Sequence, residues 1–143
     1  MPGGRPLKFK SEKEYVDYLC LNIDSLIKDF YDESVESYQR NANLSFRLFG
    51  SNQPSIDILV TTTSGKRIGI ECKNPKQEFH ETSRSVSQLL SYAVLAEESE
   101  NPLDELALVT SSQSNIGTKV IKRFNLPVRV FYVDKDKHGE LGV

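Results

Sequence analysis

Apolar side chains recur at helical spacing early in the chain. Val16, Leu19, Cys20, Ile23, Leu26, Ile27 and Phe30 form one stripe, the repeat of an amphipathic helix. Ser11 followed three residues later by Glu14 makes a capping box, so a helix is predicted over about 12–30. Residues 35–49 mix polar and aromatic positions without a period and read as a loop with one strand near 43–49. Two β-branched and apolar runs follow, IDILVTTT and KRIGIECK, joined through Ser64-Gly65, which is a hairpin signal. Beyond Pro75, the stretch 79–98 places Val86, Leu89, Leu90, Ala93, Val94 and Glu97 on one side of a second long helix, and Pro102 closes its loop. ELALVT (105–110) reads as a buried strand, NIGTKVIKRF as a short helix and VRVFYVD (128–134) as a last strand. The order α, β, β, β, α, β, α, β predicts an α/β fold, a mixed central sheet flanked by helices.

The ends of the chain lack these patterns. Residues 1–10 combine Pro2, Gly3, Gly4 and Pro6 with Arg5, Lys8 and Lys10 and read as a flexible basic arm. The domain is placed at 11–143, with the charged segment DKDKHGE (134–140) as a low-order tail. At 143 residues there is room for one packed core. The composition, 38% hydrophobic and 27% charged, is that of a folded domain rather than a disordered one. No apolar run resembles a signal peptide or a membrane span, so the expectation is an intracellular protein without a membrane partner. Cys20 and Cys72 are far apart, and with only His80 and His138 they match no structural zinc spacing. A net charge of −2 excludes a protein that holds nucleic acid by bulk charge alone. Any nucleic-acid partner has to meet a local patch.

The hairpin carries the candidate chemistry. Glu71 and Lys73 point to one face of their strand and Cys72 to the other. Asp57 and Glu71 are equidistant from Ser64, so an odd-length loop or a bulge would set them opposite each other on one face, whereas a turn centred between Ser64 and Gly65 would set Asp57 against Cys72. Two carboxylates beside a lysine suit a hard divalent cation such as Mg²⁺, which takes one or two carboxylates, waters and substrate phosphate oxygens. The lysine can orient or help deprotonate an attacking water and offset charge building on phosphate. That set suits phosphodiester hydrolysis.

Asp57, thirteen intervening residues and then Glu71-Cys72-Lys73 on a hairpin, with a helix before and a helix and strand after, resemble the PD-(D/E)XK nuclease superfamily. That group takes in restriction endonucleases, archaeal Holliday-junction resolvases and RecB-like nucleases. The resemblance runs over about 11–110 and implies a restriction-endonuclease-like αβββαβ core and Mg²⁺-dependent DNA cleavage, with Mn²⁺ as a substitute. The proline of the signature is replaced here by Ile56, with Pro54 three positions before Asp57. Many members complete the metal shell with an acid on the first helix. Glu12 lies on the sheet-facing stripe and is the first candidate; Glu14 is second, with Glu33 and Glu36 as outsiders. Gln88 and Tyr92 match the Q-x-x-x-Y pattern of RecB-like members, and Arg84 extends their stripe by a turn.

The resulting expectation is a metal-dependent DNA endonuclease or exonuclease, the endonuclease preferred, with Asp57, Glu71, Lys73, Glu12 and Gln88 as catalytic residues. Asp57, Glu71 and Glu12 would be metal ligands, and Tyr92, Arg84, Lys76 and Arg67 DNA contacts. The Gln88–Tyr92 stripe is expected to lie away from the apolar face of its helix. Lys119, Lys122 and Arg123 form a second basic strip on the short helix. The alternative is a catalytically silent or partner-dependent DNA-binding subunit that keeps the nuclease fold. A further reading is an unrelated α/β module with an accidental motif, which Asp57 and Glu71 on opposite faces of the sheet would establish. Small size favours a structure-selective enzyme or a homodimer, with the strand at 128–134, if it is a sheet edge, as the candidate dimer surface.

Overall fold

The computed structural model describes residues 9–43, 55–73, 78–98, 100–112 and 116–142. The elements are α1 (Glu12–Leu21), α2 (Ile23–Tyr31), β1 (Val35–Asn43), β2 (Ser55–Thr62), β3 (Arg67–Lys73), α3 (Glu78–Glu98), β4 (Glu105–Thr110), α4 (Ile116–Phe124), β5 (Arg129–Val133) and β6 (His138–Leu141). The strands form one six-stranded sheet in chain order. β1, β2 and β3 are antiparallel neighbours, β3, β4 and β5 are parallel, and β6 returns antiparallel to β5. Each parallel step is made through a helix, as parallel pairing requires.

Alternating side chains supply two cores. One face gathers Ile58, Val60, Ile68, Ile70, Cys72, Val109 and Phe131 under Tyr15, Leu19, Ile23 and Ile27 of α1 and α2. The other gathers Leu59, Leu106, Leu108 and Val130 under Val86, Leu89 and Tyr92 of α3 and Ile121 of α4. The predicted α/β class is therefore the observed one, a mixed sheet between helices.

Several expectations are corrected in detail. The helix over 12–30 is two helices: at Asn22 the side-chain Nδ2 donates to the Tyr18 carbonyl at 2.8 Å, while its backbone N–H is shared between the Tyr18 and Leu19 carbonyls. Ser11 caps α1 as expected, accepting from the Glu14 N–H at 3.1 Å. A strand occupies 35–43, where a loop was expected; the one expected near 43–49 falls almost wholly outside the described residues. β1 is the sheet edge and Glu36 and Tyr38 to Asn41 are exposed, so pairing with β2 rather than an apolar pattern holds it. The tail at 134–140 is ordered into β6 by a turn in which the Asp134 N–H donates to the Lys137 carbonyl. β6 covers the strand at 128–134, which is not an edge.

Of the arm at 1–10, Phe9 and Lys10 are described, and Phe9 is buried against Tyr15, 4.7 Å between ring centroids. The packed core thus begins two residues before the boundary expected at 11. In α3 the buried face runs through Ser85, Leu89, Tyr92 and Ala96, rotated from the predicted one, and Val94 is 55% exposed. The Tyr92 ring is large enough to be core despite its hydroxyl, and Ala96 is buried with it.

Candidate active site

The hairpin loop fixes the geometry. The Thr62 N–H donates to the Lys66 carbonyl and the Gly65 N–H to the Thr62 carbonyl, both at 2.9 Å. Gly65 has φ +89°, a left-handed conformation that glycine adopts without steric cost. The loop Thr63-Ser64-Gly65 has an odd length, so pairing is symmetric about Ser64: Thr61↔Arg67, Val60↔Ile68, Leu59↔Gly69 and Ile58↔Ile70. One step further, Asp57 meets Glu71.

There the ladder gives way to side chains. The Asp57 N–H donates to Glu71 Oε1 at 3.3 Å, and the Cys72 N–H donates to Asp57 Oδ2 at 2.8 Å. Each carboxylate thus takes a backbone donor of the other strand. β2 also turns over at this point, since Ile56 packs in the α3-side core and Ile58 in the α1-side core, whereas regular alternation would set both on one face. In β1, Asn41 has φ +49° between the pairs Arg40↔Ile58 and Ala42↔Ile56, so both strands are irregular at the same level.

The electrostatics follow from burial. Glu71 is 4% exposed, and burial, followed by the nearby Asp57 charge, pushes its carboxyl up to about 8. Lys73 follows on the same strand with its side chain 12% exposed, its Nζ 3.4 Å from Glu12 Oε1. From α3, the Tyr92 hydroxyl is raised by burial and by the nearby charges of Glu71 and Asp57, which keeps it a neutral donor. Cys72 points the other way, into the α1-side core. At the C-terminal end of the adjacent β4, Thr110 pairs with Lys73 and the Ser111 N–H donates to the Lys73 carbonyl at 3.2 Å. No motif singled out Thr110 or Ser111; the available signal was a parallel strand ending in polar residues, where α/β sheets bind ligands.

The structure brings together Asp57, Glu71, Lys73, Glu12 and Tyr92. Gln88, one turn before Tyr92, is part-exposed, and Arg84 is exposed. The expectation that Gln88 and Tyr92 lie away from the apolar face is corrected for Tyr92, which is 8% exposed. Arg67 does not join the site: it begins β3, about 20 Å from Lys73 along the strand, and its Nη1 donates to the carbonyls of Asn101 and Pro102. Lys76 lies outside the described residues. Glu14 accepts from the Lys10 N–H and faces Lys135. Glu33 is bound by the Ser64 hydroxyl at the turn, the opposite end of the hairpin from Asp57, and Glu36 lies near that end in β1.

Among the described residues no three His, Cys, Asp or Glu side chains are grouped as a metal cage; Glu12 is held by Lys73 instead. The donor chemistry nevertheless fits a hard cation. Asp57 and Glu71 offer oxygen only, and their mutual repulsion in a buried site is what a dication relieves.

No family model and no curated protein matches the chain. Among solved structures, a repair endonuclease from Pyrococcus abyssi superposes with a TM-score of 0.59 at 18% identity, covering 87% of this chain and 47% of that one. EndoMS in complex with double-stranded DNA superposes with a TM-score of 0.52 at 19% identity, covering 94% of this chain and 49% of that one. The chain spans just under half the length of these two proteins, and the likeness is one of fold.

Proposed function

We propose that this chain is a metal-dependent deoxyribonuclease that cuts phosphodiester bonds within DNA. The observation that carries the reading is the Asp57–Glu71 pair, tied strand to strand by reciprocal bonds at 3.3 and 2.8 Å, with Lys73 next on the same face. The double-stranded DNA bound by one structural neighbour supports DNA as the substrate.

Asp57 and Glu71 would hold Mg²⁺ or Mn²⁺, with Glu12 as a further ligand on leaving Lys73. Bound there, the cation would supply Lewis-acid polarisation of the phosphate and a lowered pKa for a coordinated water. Glu71 has to shed its proton to serve as a ligand. The Lys73 ammonium, largely removed from solvent, stabilises charge developing on the phosphate and orients the attacking water. The Tyr92 hydroxyl donates a hydrogen bond toward the carboxylates or a phosphate oxygen, and Gln88, one turn away, offers an amide to the same region. Arg84 supplies a fork for a phosphate along the exposed side of α3.

Lys73→Ala and Asp57→Ala should each abolish Mg²⁺- or Mn²⁺-dependent cutting across a panel of linear, nicked, flap and four-way-junction DNA, with circular dichroism unchanged. A parent protein that cuts no DNA form with either metal would sink the enzyme reading. Calorimetric titration with Mn²⁺ then separates the remaining alternative, since a silent DNA-binding subunit with a vestigial site takes up no metal.

A further inference from the structure

Most cations of the described residues fall into two groups; Lys10, Arg67, Arg84 and Lys137 stand outside both, each on a separate segment of the fold. Lys13, Lys28, Arg40, Lys66, Lys73, Arg129 and Lys135 each lie within 4.0 Å of a carboxylate. Lys119, Lys122 and Arg123 of α4 pair with no carboxylate among the described residues, and α4 itself, IGTKVIKRF, contains no acid. Lys122 shares a surface groove with Glu140, but Arg129 Nε and Nη2 hold both oxygens of that carboxylate at 2.8 Å.

These three cations are also placed together. Successive helical residues are turned by about 100°, so positions 119, 122 and 123 lie within one arc of about 100°, opposite the buried Gly117 and Ile121. All three are exposed. The helix dipole favours cations in the last turn, which accounts for Lys122 and Arg123 but not for Lys119, and a dipole contribution does not require that every local carboxylate be absent. Three uncompensated like charges on one turn and a half repel one another, an arrangement that favours an anionic partner with repeated charges.

The topology sets this face beside the site. α3 and α4 cover the same side of the sheet, the side of Leu59, Leu106 and Leu108. α4 connects β4 to β5, whereas Asp57 and Glu71 lie between β2 and β3. At about 4.8 Å per strand the lateral offset is two strand spacings, about 10 Å, comparable with three base pairs of duplex at ~3.4 Å each. Lys119 and Arg123 are separated by about 6 Å along the helix, within reach of neighbouring phosphates.

We infer that the outward face of α4, formed by Lys119, Lys122 and Arg123, docks the sugar-phosphate backbone of duplex DNA beside the cleavage site. This rests on the nuclease reading above and extends it to residues outside the motif. The contact is sequence-independent, carries no chemistry, and sets the position of the duplex relative to Asp57 and Glu71.

The test is the salt dependence of binding to a labelled duplex oligonucleotide by the full chain. Each phosphate neutralised contributes about 0.9 to the slope of log K against log salt. The triple variant Lys119→Ala, Lys122→Ala, Arg123→Ala should therefore lower that slope by about 2–3, with the cleavage rate at saturating protein unchanged. A control of equal charge change, Lys13→Ala, Lys28→Ala, Lys135→Ala, should leave the slope as in the parent. A parent that cuts DNA while the α4 triple keeps the parent slope overturns this inference alone. Equal slope losses in both triples overturn it too, by tracing the effect to net charge. A parent that neither binds nor cuts DNA overturns it together with the nuclease reading.

Discussion

Glu71 concentrates the conflict between folding and function in one side chain. A carboxylate is strongly hydrated in the unfolded chain, but in the fold it is buried beside Asp57, and its pKa rises from 4.5 to about 8. The native state thus binds the Glu71 proton more tightly than the unfolded state does. That contribution to stability is fully present below about pH 4.5 and is lost as pH rises through about 8. Glu71→Gln keeps an oxygen acceptor for the Asp57 N–H and has no charge to desolvate. In metal-free buffer it should match the parent near pH 4.5 and exceed it by about 2–4 kcal/mol at pH 9 in urea denaturation. Mn²⁺ should restore stability to the parent at pH 9 and leave the glutamine variant where it was.

Between elements, the site depends on how closely β2, β3 and the segment leading into β4 approach. A Cβ at Gly69 would stand 2.6 Å from Ile56 Cδ1 and 3.0 Å from Leu103 Cδ1. Ile56 is the residue before Asp57, at the point where β2 turns over. Gly69→Ala should therefore cost about 1–3 kcal/mol through overpacking. The displaced Ile56 should also move Asp57 relative to Glu71, so cutting activity should fall by more than the loss of folded protein explains. Activity and folded fraction measured on the same sample decide this. A glycine in mid-strand, weak as strand former, is explained by that contact.

At the scale of the whole molecule, the far edge of the sheet is held by charge as much as by apolar packing. Arg129 of β5 grips Glu140 of β6 with two bonds at 2.8 Å and donates to the Phe30 carbonyl of α2 at 3.0 Å. Its guanidinium also lies over the rings of Tyr31 and Phe131, 4.6 and 5.0 Å from their centroids. His138 joins the same seam through Asp29 at 2.7 Å. Lysine cannot reproduce a planar fork that bonds in two directions and stacks. Arg129→Lys should lower stability by about 1–3 kcal/mol, read as a drop of several degrees in Tm. Cutting activity at 25 °C should be unchanged, because β5 and β6 lie away from the β2–β3 site. No helix of the described residues is long and apolar enough to cross a membrane.

What was legible in the sequence was whatever rests on local periodicity and turn chemistry. The hairpin itself belongs here, marked by Ser64-Gly65 between two β-branched runs. Its register was open between Asp57 opposite Glu71 and Asp57 opposite Cys72, and the folded loop decided for the first, as every pair from Ile58↔Ile70 to Thr61↔Arg67 has that register. α3, α4 and β4 are likewise marked by their own apolar spacing. Local pattern could not show β1 and β6, because edge strands with polar or charged side chains owe their existence to the neighbour that supplies their hydrogen bonds. Nor could it show the burial of Phe9 or the inward turn of Tyr92, which depend on space left by other elements. At the site, spacing allowed the two carboxylates to meet, but only the tertiary structure supplied the reciprocal backbone bonds, the overturned strand at Asp57 and the burial that raises Glu71. A residue's own type and its neighbours in the chain determine its conformation; its solvation and its charge are decided by side chains that arrive from elsewhere in the fold.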